Sequence, residues 1–574
     1  MNKQKNSQTF LEGAVILTTA TMIVKVIGAL FKIPLANILG GVGMSYFVTA
    51  YDIFTPIYSL VVTGLGIAVS RMVSEYAAKG NRAGVESVLR ASRRIFLTLG
   101  FLGAGILLAA APAFVHIINN SAALFAVLAI VPAVIFSCIS SSYRGYYQGL
   151  SNMLPTAMSQ VIESVTRMLL GILLAYGITV VMLAKYTSSG HLMGYTFENE
   201  SYARLFIMRF AAAGAILGVT ISTAIGAMYI RLRFAREHKT PVAPLPAQQH
   251  RETGKRLIAI AIPIALSTLV VNLSALIDLV SVMNCLHTAI QKGGEVILSM
   301  YPKGIPAEVS LELLPEYLYG SYSGLAYSVF NLIPAITAAL GVSAIPAVSR
   351  AWAKEDRREL EGTVSSILKV TMLIALPAGL GISVLAEPIL LFLYPARVME
   401  VSIVAPILRV MGLSAVLVAA ATPVNSILQA IGKERLPLFI LLLGAAIKLV
   451  TNFTLISRPE INIQGVPYGT LLCYAVILTL SSAALRLSTG IHLSFYRIFI
   501  KPLFCAIGSS TAALSVYRLL AGRNSLKLMA AIACAGIVYV IMVLFTGTIS
   551  RKDMEMVHID ENLLKRLEKL GFIS

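Results

Sequence analysis

Apolar stretches of about 20 residues recur along almost the whole length of this 574-residue chain. An α-helix needs about that many apolar residues to cross the hydrocarbon layer of a bilayer, so each stretch is a candidate transmembrane helix. The composition agrees, because 57% of the residues are hydrophobic and 13% are charged, whereas soluble domains carry about 25% charged residues. The first stretch, residues 10–33, is too long for the core of a cleaved signal peptide. We therefore predict an all-α polytopic membrane protein with about 14 transmembrane helices.

Basic residues alternate between the predicted loops. Lys and Arg are frequent in the loops after the second, sixth and eighth spans, whereas the loops at residues 34–46 and 114–121 contain none. Because cytoplasmic loops carry the excess of Lys and Arg, both termini are predicted to lie in the cytoplasm, with the chain in the cytoplasmic membrane. Arg518, Arg523 and Lys527 break the alternation near the last two spans. The alternation accounts for the formal net charge of +19, so no nucleic-acid partner is predicted.

Short sequence matches indicate an internal repeat. The stretch "AYDIF" from Ala50 resembles "AYSVF" from Ala326, and "YQGLSNMLP" from Tyr147 resembles "LQAIGKERLP" from Leu428, with offsets of 276 and 281 residues. We predict two parallel six-helix repeats followed by two further helices, an architecture in which transporters bind substrate at the repeat interface and use alternating access. The predicted organisation is an N-terminal bundle at 1–232, a cytoplasmic linker at 233–254, a C-terminal bundle at 255–486, two added helices at 487–548 and a cytoplasmic amphipathic tail at 549–574.

Charged side chains inside the predicted spans are the candidate functional residues, because each one costs at least a few kcal/mol in the bilayer. Glu163 and Arg167 are four residues apart and share one helix face. They either neutralise each other in a salt bridge or leave Arg167 available to a central cavity. Arg167 and Lys448 occupy nearly equivalent positions in the two repeats, which predicts a shared requirement for positive charge. The candidate substrate-binding residues are Lys25, Asp52, Glu163, Arg167 and Lys448.

Two further residues are candidates for ion coupling. Asp278 in the seventh span forms either a hydrogen bond between helices or an ion or proton site. Asn452 lies one turn after Lys448 and could face the same space. For Lys25 the alternative to a substrate contact is an ion pair with Asp52 on the neighbouring helix.

Other polar and aromatic residues have structural explanations. Lys32 lies near the outer end of the first span and is expected to extend its ammonium group to the membrane interface. Tyr143, Tyr146 and Tyr147 are interpreted as an interfacial aromatic belt. The five cysteines lie singly, as small core residues do, so neither a disulfide nor a metal site is predicted.

The chain contains no motif of a soluble-type catalytic site: HExxH, the P-loop and the dinucleotide-binding motif are all absent from the sequence. A membrane enzyme that uses a polyprenyl donor would be expected to carry acidic residues in an early outer loop, and residues 33–46 carry none. We therefore predict a non-enzyme with no catalytic residue and no cofactor.

Three stretches resemble a known family: "KVIGALFKIPLANILG" from Lys25, "GLGIAVSRMVSEYAAKGN" from Gly64 and "RGYYQGLSNMLPTAMSQVIESVTRM" from Arg144. With the duplicated unit, they resemble the flippases of the multidrug/oligosaccharidyl-lipid/polysaccharide (MOP, MATE-like) superfamily. The likeness is greatest to the stage V sporulation protein B branch, which is related to the MurJ lipid II flippases. This resemblance implies a MATE/MurJ-like fold. It also implies transport of an undecaprenyl-pyrophosphate-linked saccharide of the lipid II type to the outer leaflet.

The resemblance also implies roles for individual residues. Lys25 matches a basic position in the first helix of MurJ-type proteins, and Asp278 matches the seventh-helix acid of a sodium site that some of them contain. Lys448 and Asn452 fall where that sodium site has a neutral residue and an acid. Because a lysine there would compete with sodium, the expected coupling is to membrane potential or protons, or through a Lys448–Asp278 pair.

The partners implied by the resemblance are the lipid-linked saccharide, membrane lipids, and machinery of cell-wall or sporulation synthesis, and the chain is expected to be a monomer. A MATE-type antiporter of drugs and other cations is the first alternative. Such a protein would gather acidic residues in its cavity, whereas this chain offers more basic residues there. A polyprenyl-dependent membrane enzyme is the second alternative, and the sequence of the outer loops disfavours it.

Overall fold

The computed structural model describes residues 10–59, 64–237 and 247–548. Nearly all of these residues are helical, and the sheet that they contain has two short strands. Eleven of the described helices are long and apolar enough to cross a membrane. The predicted class, an all-α polytopic membrane protein, is confirmed, whereas the number of 14 spans stays a prediction.

The described residues form two compact units. The first unit contains the residues up to Gln291 together with Pro306–Gly324, and the second contains Lys292–Ile305 and the residues from Leu325 onwards.

Eight helices and a small hairpin of strands make up the first unit. They are α1 (Phe10–Tyr58), α2 (Gly64–Ala78), α3 (Arg82–Ile117), α4 (Leu124–Gly149), α5 (Leu154–Ser189), β1 (His191–Leu192), β2 (Tyr195–Thr196), α6 (Glu200–Glu237), α7 (Ala247–Met300, up to Gln291) and α8 (Leu314–Ser321).

The second unit consists of the remaining helices. They are α9 (Tyr327–Phe330), α10 (Leu332–Ala353), α11 (Arg357–Val384), α12 (Ala386–Leu393), α13 (Val398–Ala430), α14 (Arg435–Leu455), α15 (Val466–Thr489), α16 (Lys501–Leu519) and α17 (Asn524–Phe545). Two π-helical turns, Tyr322–Ala326 and Tyr496–Ile500, precede α9 and α16.

The long helix α1 is two helices that meet at Gly40. The backbone of Gly40 has φ 62° and ψ −172°, and glycine reaches a positive φ without the steric penalty that a Cβ imposes. The 49 residues of α1 would span about 74 Å as a straight helix, more than twice the hydrocarbon thickness. The turn at Gly40 therefore lets this segment supply both the first and the second predicted span.

Helices α5 and α6 pack along each other as an antiparallel pair. The connection between them contains the short strands β1 and β2, which pair with each other. Glycines allow the two helices to come close, since a Cβ added to Gly218 would lie 2.5 Å from the backbone nitrogen of Gly171. Further along, a Cβ added to Gly226 would lie 3.2 Å from the Cβ of Glu163. The small residue at position 226 thus brings α6 directly against the charged face of α5.

The core of the second unit lies around α13, which packs against α10, α11 and α15. Fully buried apolar side chains fill the space between these helices. They include Val348, Leu360, Val364, Val424, Leu428 and Leu485. Helices α16 and α17 pack on each other, and α16 also contacts α11. The interpretation of these two helices as additions to a second repeat stays a prediction.

The structure contradicts the predicted position of three tyrosines and agrees with that of the cysteines. Tyr143, Tyr146 and Tyr147 are buried, and the rings of Tyr143 and Tyr146 pack on Phe234 of α6. Their interpretation as an interfacial belt is wrong, because this face of α4 packs against α6 instead of facing lipid. The five cysteines are free, and four of them are buried, as predicted for small core residues.

The predicted linker at 233–254 is partly helical. Helix α6 continues through Glu237 and α7 begins at Ala247. Residues 238–246 and the predicted tail at 549–574 lie outside the described residues. The division into two six-helix repeats stays a prediction.

Candidate functional site

Glu163 on α5 is held by two arginines that come from two helices. Its Oε1 accepts a hydrogen bond from Nη2 of Arg167 at 2.7 Å, one turn further along α5. Its Oε2 accepts from Nη2 of Arg144 on α4 at 2.9 Å. Oγ1 of Thr223 on α6 lies 3.4 Å from Oε1. The carboxylate of Glu163 therefore connects α4, α5 and α6, and the salt bridge considered from the sequence is formed.

Each guanidinium group also has a neutral partner. Nε of Arg144 donates to Oγ of Ser159 on α5 at 2.9 Å. Nη1 of Arg167 donates to the hydroxyl oxygen of Tyr51 on α1 at 2.9 Å. Ser159, Glu163 and Arg167 follow one another at intervals of four residues and so lie on one face of α5. The hydroxyl groups orient the guanidinium groups without neutralising them.

Arg144, Glu163 and Arg167, the guanidinium cluster, carry a net charge of +1, because two guanidinium groups face one carboxylate. The exposed fractions of the three side chains are 11%, 12% and 21% in that order. The cluster is therefore mostly removed from water, although Arg167 remains reachable. Nε of Arg167 is buried and meets no hydrogen-bond acceptor in the part of the chain that the structure describes. Guanidinium groups with this surplus charge are suited to binding an anion with several oxygens.

A second charged group of the first unit surrounds Asp52 on α1. The charges of Lys32 and Asp278 both act on the Asp52 carboxylate, and the hydroxyl of Tyr319 on α8 lies 3.5 Å from its Oδ2. Lys25 is exposed on α1, and its alternative ion pair with Asp52 is not formed among the described residues. Lys32 is the lysine near Asp52. The group thus combines two carboxylates with one ammonium.

In the second unit, Lys448 and Asn452 lie one turn apart on α14 and are buried against α15, with exposed fractions of 7% and 0%. Gly469 on α15 leaves space for both side chains. A Cβ added to Gly469 would lie 2.8 Å from Oδ1 of Asn452 and 3.7 Å from Cγ of Lys448. Lys448 is thus more deeply buried than Arg167, although the two residues occupy nearly equivalent positions in the sequence repeat.

The repeat position that corresponds to Arg144 is neutral in the second unit. At the offset of 281 residues this position is Asn425 on α13, whose Oδ1 accepts a hydrogen bond from Oγ of Ser481 on α15 at 2.7 Å. The position that corresponds to Glu163, at an offset of 282 residues, is Ala445. A pair of arginines around a carboxylate is therefore a feature of the first unit and is not repeated at these positions of the second.

Two family profiles match parts of the chain. The profile described as Polysaccharide biosynthesis protein matches residues 10–198, and the profile described as MatE matches residues 321–454. Two curated proteins of Bacillus subtilis (strain 168) match most of the chain. Stage V sporulation protein B is 25% identical, over 97% of this chain and 99% of its own length. Lipid II flippase MurJ is 24% identical, over 86% of this chain and 85% of its own length.

A solved structure, described as lipid II flippase MurJ in an inward closed conformation, superimposes with a TM-score of 0.61 at 14% sequence identity. The superposition covers 93% of this chain and 98% of that one. The chain has the MATE/MurJ fold. The resemblance to the MOP superfamily that the sequence indicated is thereby confirmed, and so is the multi-pass membrane architecture.

Within the MATE/MurJ fold, the candidate residues divide between the two matched regions. Asp52 and the guanidinium cluster lie in the region matched by the polysaccharide-biosynthesis profile, whereas Lys448 and Asn452 lie in the region matched by the MatE profile. Asp278 is the exception, because it lies in neither matched region; it belongs to the first unit of the structure and Lys448 to the second. The expected Lys448–Asp278 pair stays a prediction.

Arg144 is the residue of the cluster that sequence reasoning missed. It lies five residues before Gly149, the last residue of α4, and Glu163 lies nine residues after Leu154, the first residue of α5. At 1.5 Å per residue these positions are about 8 Å and about 14 Å from a shared turn, so a long arginine side chain can reach the carboxylate. The signal available in the sequence was a basic residue, Arg144, and an acidic residue, Glu163, on either side of the short connection between two predicted helices.

Proposed function

We propose that this protein is a flippase for an undecaprenyl-pyrophosphate-linked saccharide, a peptidoglycan precursor of the lipid II type, in the cytoplasmic membrane. The observation that carries the proposal is the surplus positive charge of the guanidinium cluster inside a helical unit with the MATE/MurJ fold. The curated relatives support this, because one of them is named a lipid II flippase.

The chemistry of the head group fits the cluster. A pyrophosphate carries at least two negative charges and presents oxygens that arginine can bind in a bidentate manner. A guanidinium group that is mostly removed from water attracts such an anion more strongly than one on the surface. The polyprenyl chain would remain among the acyl chains of the membrane while the head group crosses. Alternating access of two repeats would then carry the head group to the outer leaflet.

A MATE-type antiporter of cations is the second candidate, and one observation favours it. The group around Asp52 combines two carboxylates, Asp52 and Asp278, with the ammonium of Lys32. A cation or proton would be attracted to such a group. We assign it to the coupling ion rather than to the cargo, because the guanidinium cluster would repel a cationic cargo.

The proposed coupling is to protons or to the membrane potential, because Lys448 would compete with sodium, and Asp278 and Asn452 are the candidate coupling residues. Transport by protein in liposomes would be compared under a proton gradient, a sodium gradient and a membrane potential. Stimulation by sodium that is lost on Lys448→Ala would count against this coupling.

Further properties are proposed with the function. The chain acts without chemical catalysis and without a cofactor, as a monomer with both termini in the cytoplasm. Its partners are the lipid-linked saccharide and membrane lipids, and it delivers its cargo to machinery of cell-wall or sporulation synthesis. One curated relative is named a lipid II flippase and one similar structure is described as a multidrug resistance transporter, and these names support the absence of catalysis.

The test is an assay of head-group accessibility at the outer surface of cells in which this protein is the sole flippase supplied. Depletion should lower the surface exposure of lipid II, and wild-type protein should restore it. Arg167→Ala and Lys448→Ala should restore it poorly. Arg204→Ala is the matched control, because Arg204 forms an exposed ion pair with Glu200 at 3.1 Å. Unchanged exposure after depletion would remove lipid II as the cargo.

A further inference from the structure

The guanidinium cluster has the geometry of an anion site in which an internal carboxylate takes the place of the anion. Arg144 and Arg167 each donate to a different oxygen of the same Glu163 carboxylate, at 2.9 and 2.7 Å. The two guanidinium groups come from α4 and α5, and both converge on this one acceptor group. A diphosphate offers the same arrangement, since it also presents separate oxygens to separate donors.

Electrostatics decides which anion would occupy the site. With Glu163 in place the cluster keeps a charge of +1, whereas a diphosphate of two or more negative charges would neutralise both arginines. The buried Nε of Arg167, which meets no acceptor among the described residues, would also gain one from a larger anion. Arg167, at 21% exposure, is the open side of the cluster.

Helix α6 closes the side of the cluster opposite the arginines. Oγ1 of Thr223 lies 3.4 Å from Oε1 of Glu163 and donates to the carbonyl oxygen of Val219 at 2.9 Å. Gly226 packs closely on this side, where a Cβ would lie 3.2 Å from the Cβ of Glu163 and 3.4 Å from its Oε2. The helix that faces Glu163 is thus in direct contact with the side chain, and a displaced carboxylate would turn toward the open side of the cluster at Arg167.

We propose that Arg144 and Arg167 form a clamp for the diphosphate of the lipid-linked substrate, and that Glu163 is a positioning residue that occupies the clamp until substrate displaces it. This inference rests on the proposed function for the identity of the ligand. Arg144 becomes a substrate-binding residue. While no substrate is bound, Glu163 holds the two guanidinium groups in place. When the substrate binds, Glu163 competes with its diphosphate, which weakens binding enough for the substrate to be released.

The assignment of Glu163 makes a prediction that a purely structural ion pair does not. Glu163→Gln removes the competing charge and should tighten binding of undecaprenyl diphosphate to protein in nanodiscs by about tenfold or more, the ratio expected for a charged hydrogen bond. Arg144→Gln and Arg167→Gln should weaken binding by about the same factor. Glu200→Gln is the matched control, because Glu200 also pairs with an arginine four residues away but is exposed.

A second variant keeps the test decisive if Glu163→Gln fails to fold. Tyr51→Phe removes the oxygen that accepts from Nη1 of Arg167 and keeps the aromatic ring that stacks on Phe47. The substitution leaves Nη1 of Arg167 free to donate to the diphosphate, so it should also tighten the binding of undecaprenyl diphosphate. Inorganic pyrophosphate should compete with the lipid at the wild-type site, which would attribute recognition to the diphosphate rather than to the polyprenyl chain.

The binding measurements distinguish a failure of the proposed clamp from a failure of the proposed flippase function. If the wild-type protein binds undecaprenyl diphosphate but the variants of Arg144, Glu163 and Tyr51 leave the affinity unchanged, the clamp is wrong and the flippase function stands. Failure of pyrophosphate to compete would also overturn the clamp. If the protein binds pyrophosphate with the predicted changes but does not bind the lipid, the clamp stands and the proposed cargo is wrong.

Discussion

Arg144 and Glu163 join helices α4 and α5 through an ion pair of 2.9 Å in which both side chains are almost 90% buried. The two residues are 19 positions apart in the chain, on either side of the turn between the helices. Together with Arg167 they place two cationic groups around one acid in the membrane-embedded part of the first unit. The surplus positive charge of this cluster depends on the ion pair between Arg144 and Glu163.

The buried cluster predicts an unequal cost of removing its members. Glu163→Gln leaves two guanidinium groups facing each other without a counter-charge, whereas Arg144→Gln leaves a neutral ion pair of Glu163 with Arg167. Breaking a buried pair costs about 3–5 kcal/mol, so Glu163→Gln should lower the melting temperature of the detergent-solubilised protein more than Arg144→Gln does. Added pyrophosphate should restore much of the loss in Glu163→Gln, because a ligand that binds only the folded state stabilises it. A larger loss in Arg144→Gln would contradict the charge assignment.

The contact between α5 and α6 predicts a large effect of one methyl group. In Gly218→Ala, the new Cβ would meet the backbone of Gly171 at 2.5 Å, so the helices must separate. Overpacking of this kind costs about 1–3 kcal/mol, which thermal unfolding followed by size-exclusion chromatography would detect. Gly177→Ala on α5 is the control, because nothing lies within 4 Å of its added Cβ. That variant should be neutral or slightly stabilised, since alanine favours a helix interior.

The hairpin of strands β1 and β2 predicts the orientation of the chain in the membrane. Met193 lies in this hairpin between α5 and α6 and is 60% exposed. Cysteine introduced there should react with a membrane-impermeant maleimide added outside intact cells, whereas cysteine at Arg236, near the end of α6, should react only after the membrane is opened. Cys534 is the native cysteine that is not buried, so the test is made in a Cys534→Ser background. Reversed labelling would place the termini outside.

An exposed ion pair of the first unit predicts a pH dependence of stability. Nη2 of Arg256 on α7 donates to Oε2 of Glu75 on α2 at 2.7 Å, and this hydrogen bond lowers the pKa of the Glu75 carboxyl below its usual range. A carboxyl whose pKa is lower in the folded state stabilises it above the unfolded pKa, and this contribution is lost as the pH falls through the folded pKa.

Arg256→Gln should therefore be less stable than wild type near pH 7 and equal to it below the lowered pKa. The difference should be small and should shrink in high salt, because the pair is exposed to water. Melting curves of both proteins at several pH values and salt concentrations would measure it. A difference that persists at acid pH would mean that Arg256 acts through contacts other than Glu75.

The fold class could be predicted from the sequence because the length of the apolar stretches was sufficient for it, since each helix meets the bilayer independently of its neighbours. The resemblance to a family came instead from three specific stretches of residues, those from Lys25, Gly64 and Arg144. The salt bridge of Glu163 with Arg167 was also within reach, because a spacing of four residues places two side chains together on any helix. Alternatives remained open wherever a residue's partner lay on another helix.

The sequence by itself determined that this chain is a helical membrane protein with charges buried in its spans. Only the tertiary structure decided which charges meet, as Arg144 meets Glu163 across the turn between α4 and α5. It also turned Tyr143, Tyr146 and Tyr147 toward the interior. The physical reason is that contacts between helices depend on the rotation and separation of each pair. Those are set by close packing at positions such as Gly218 and Gly226, and not by the hydropathy of either helix alone.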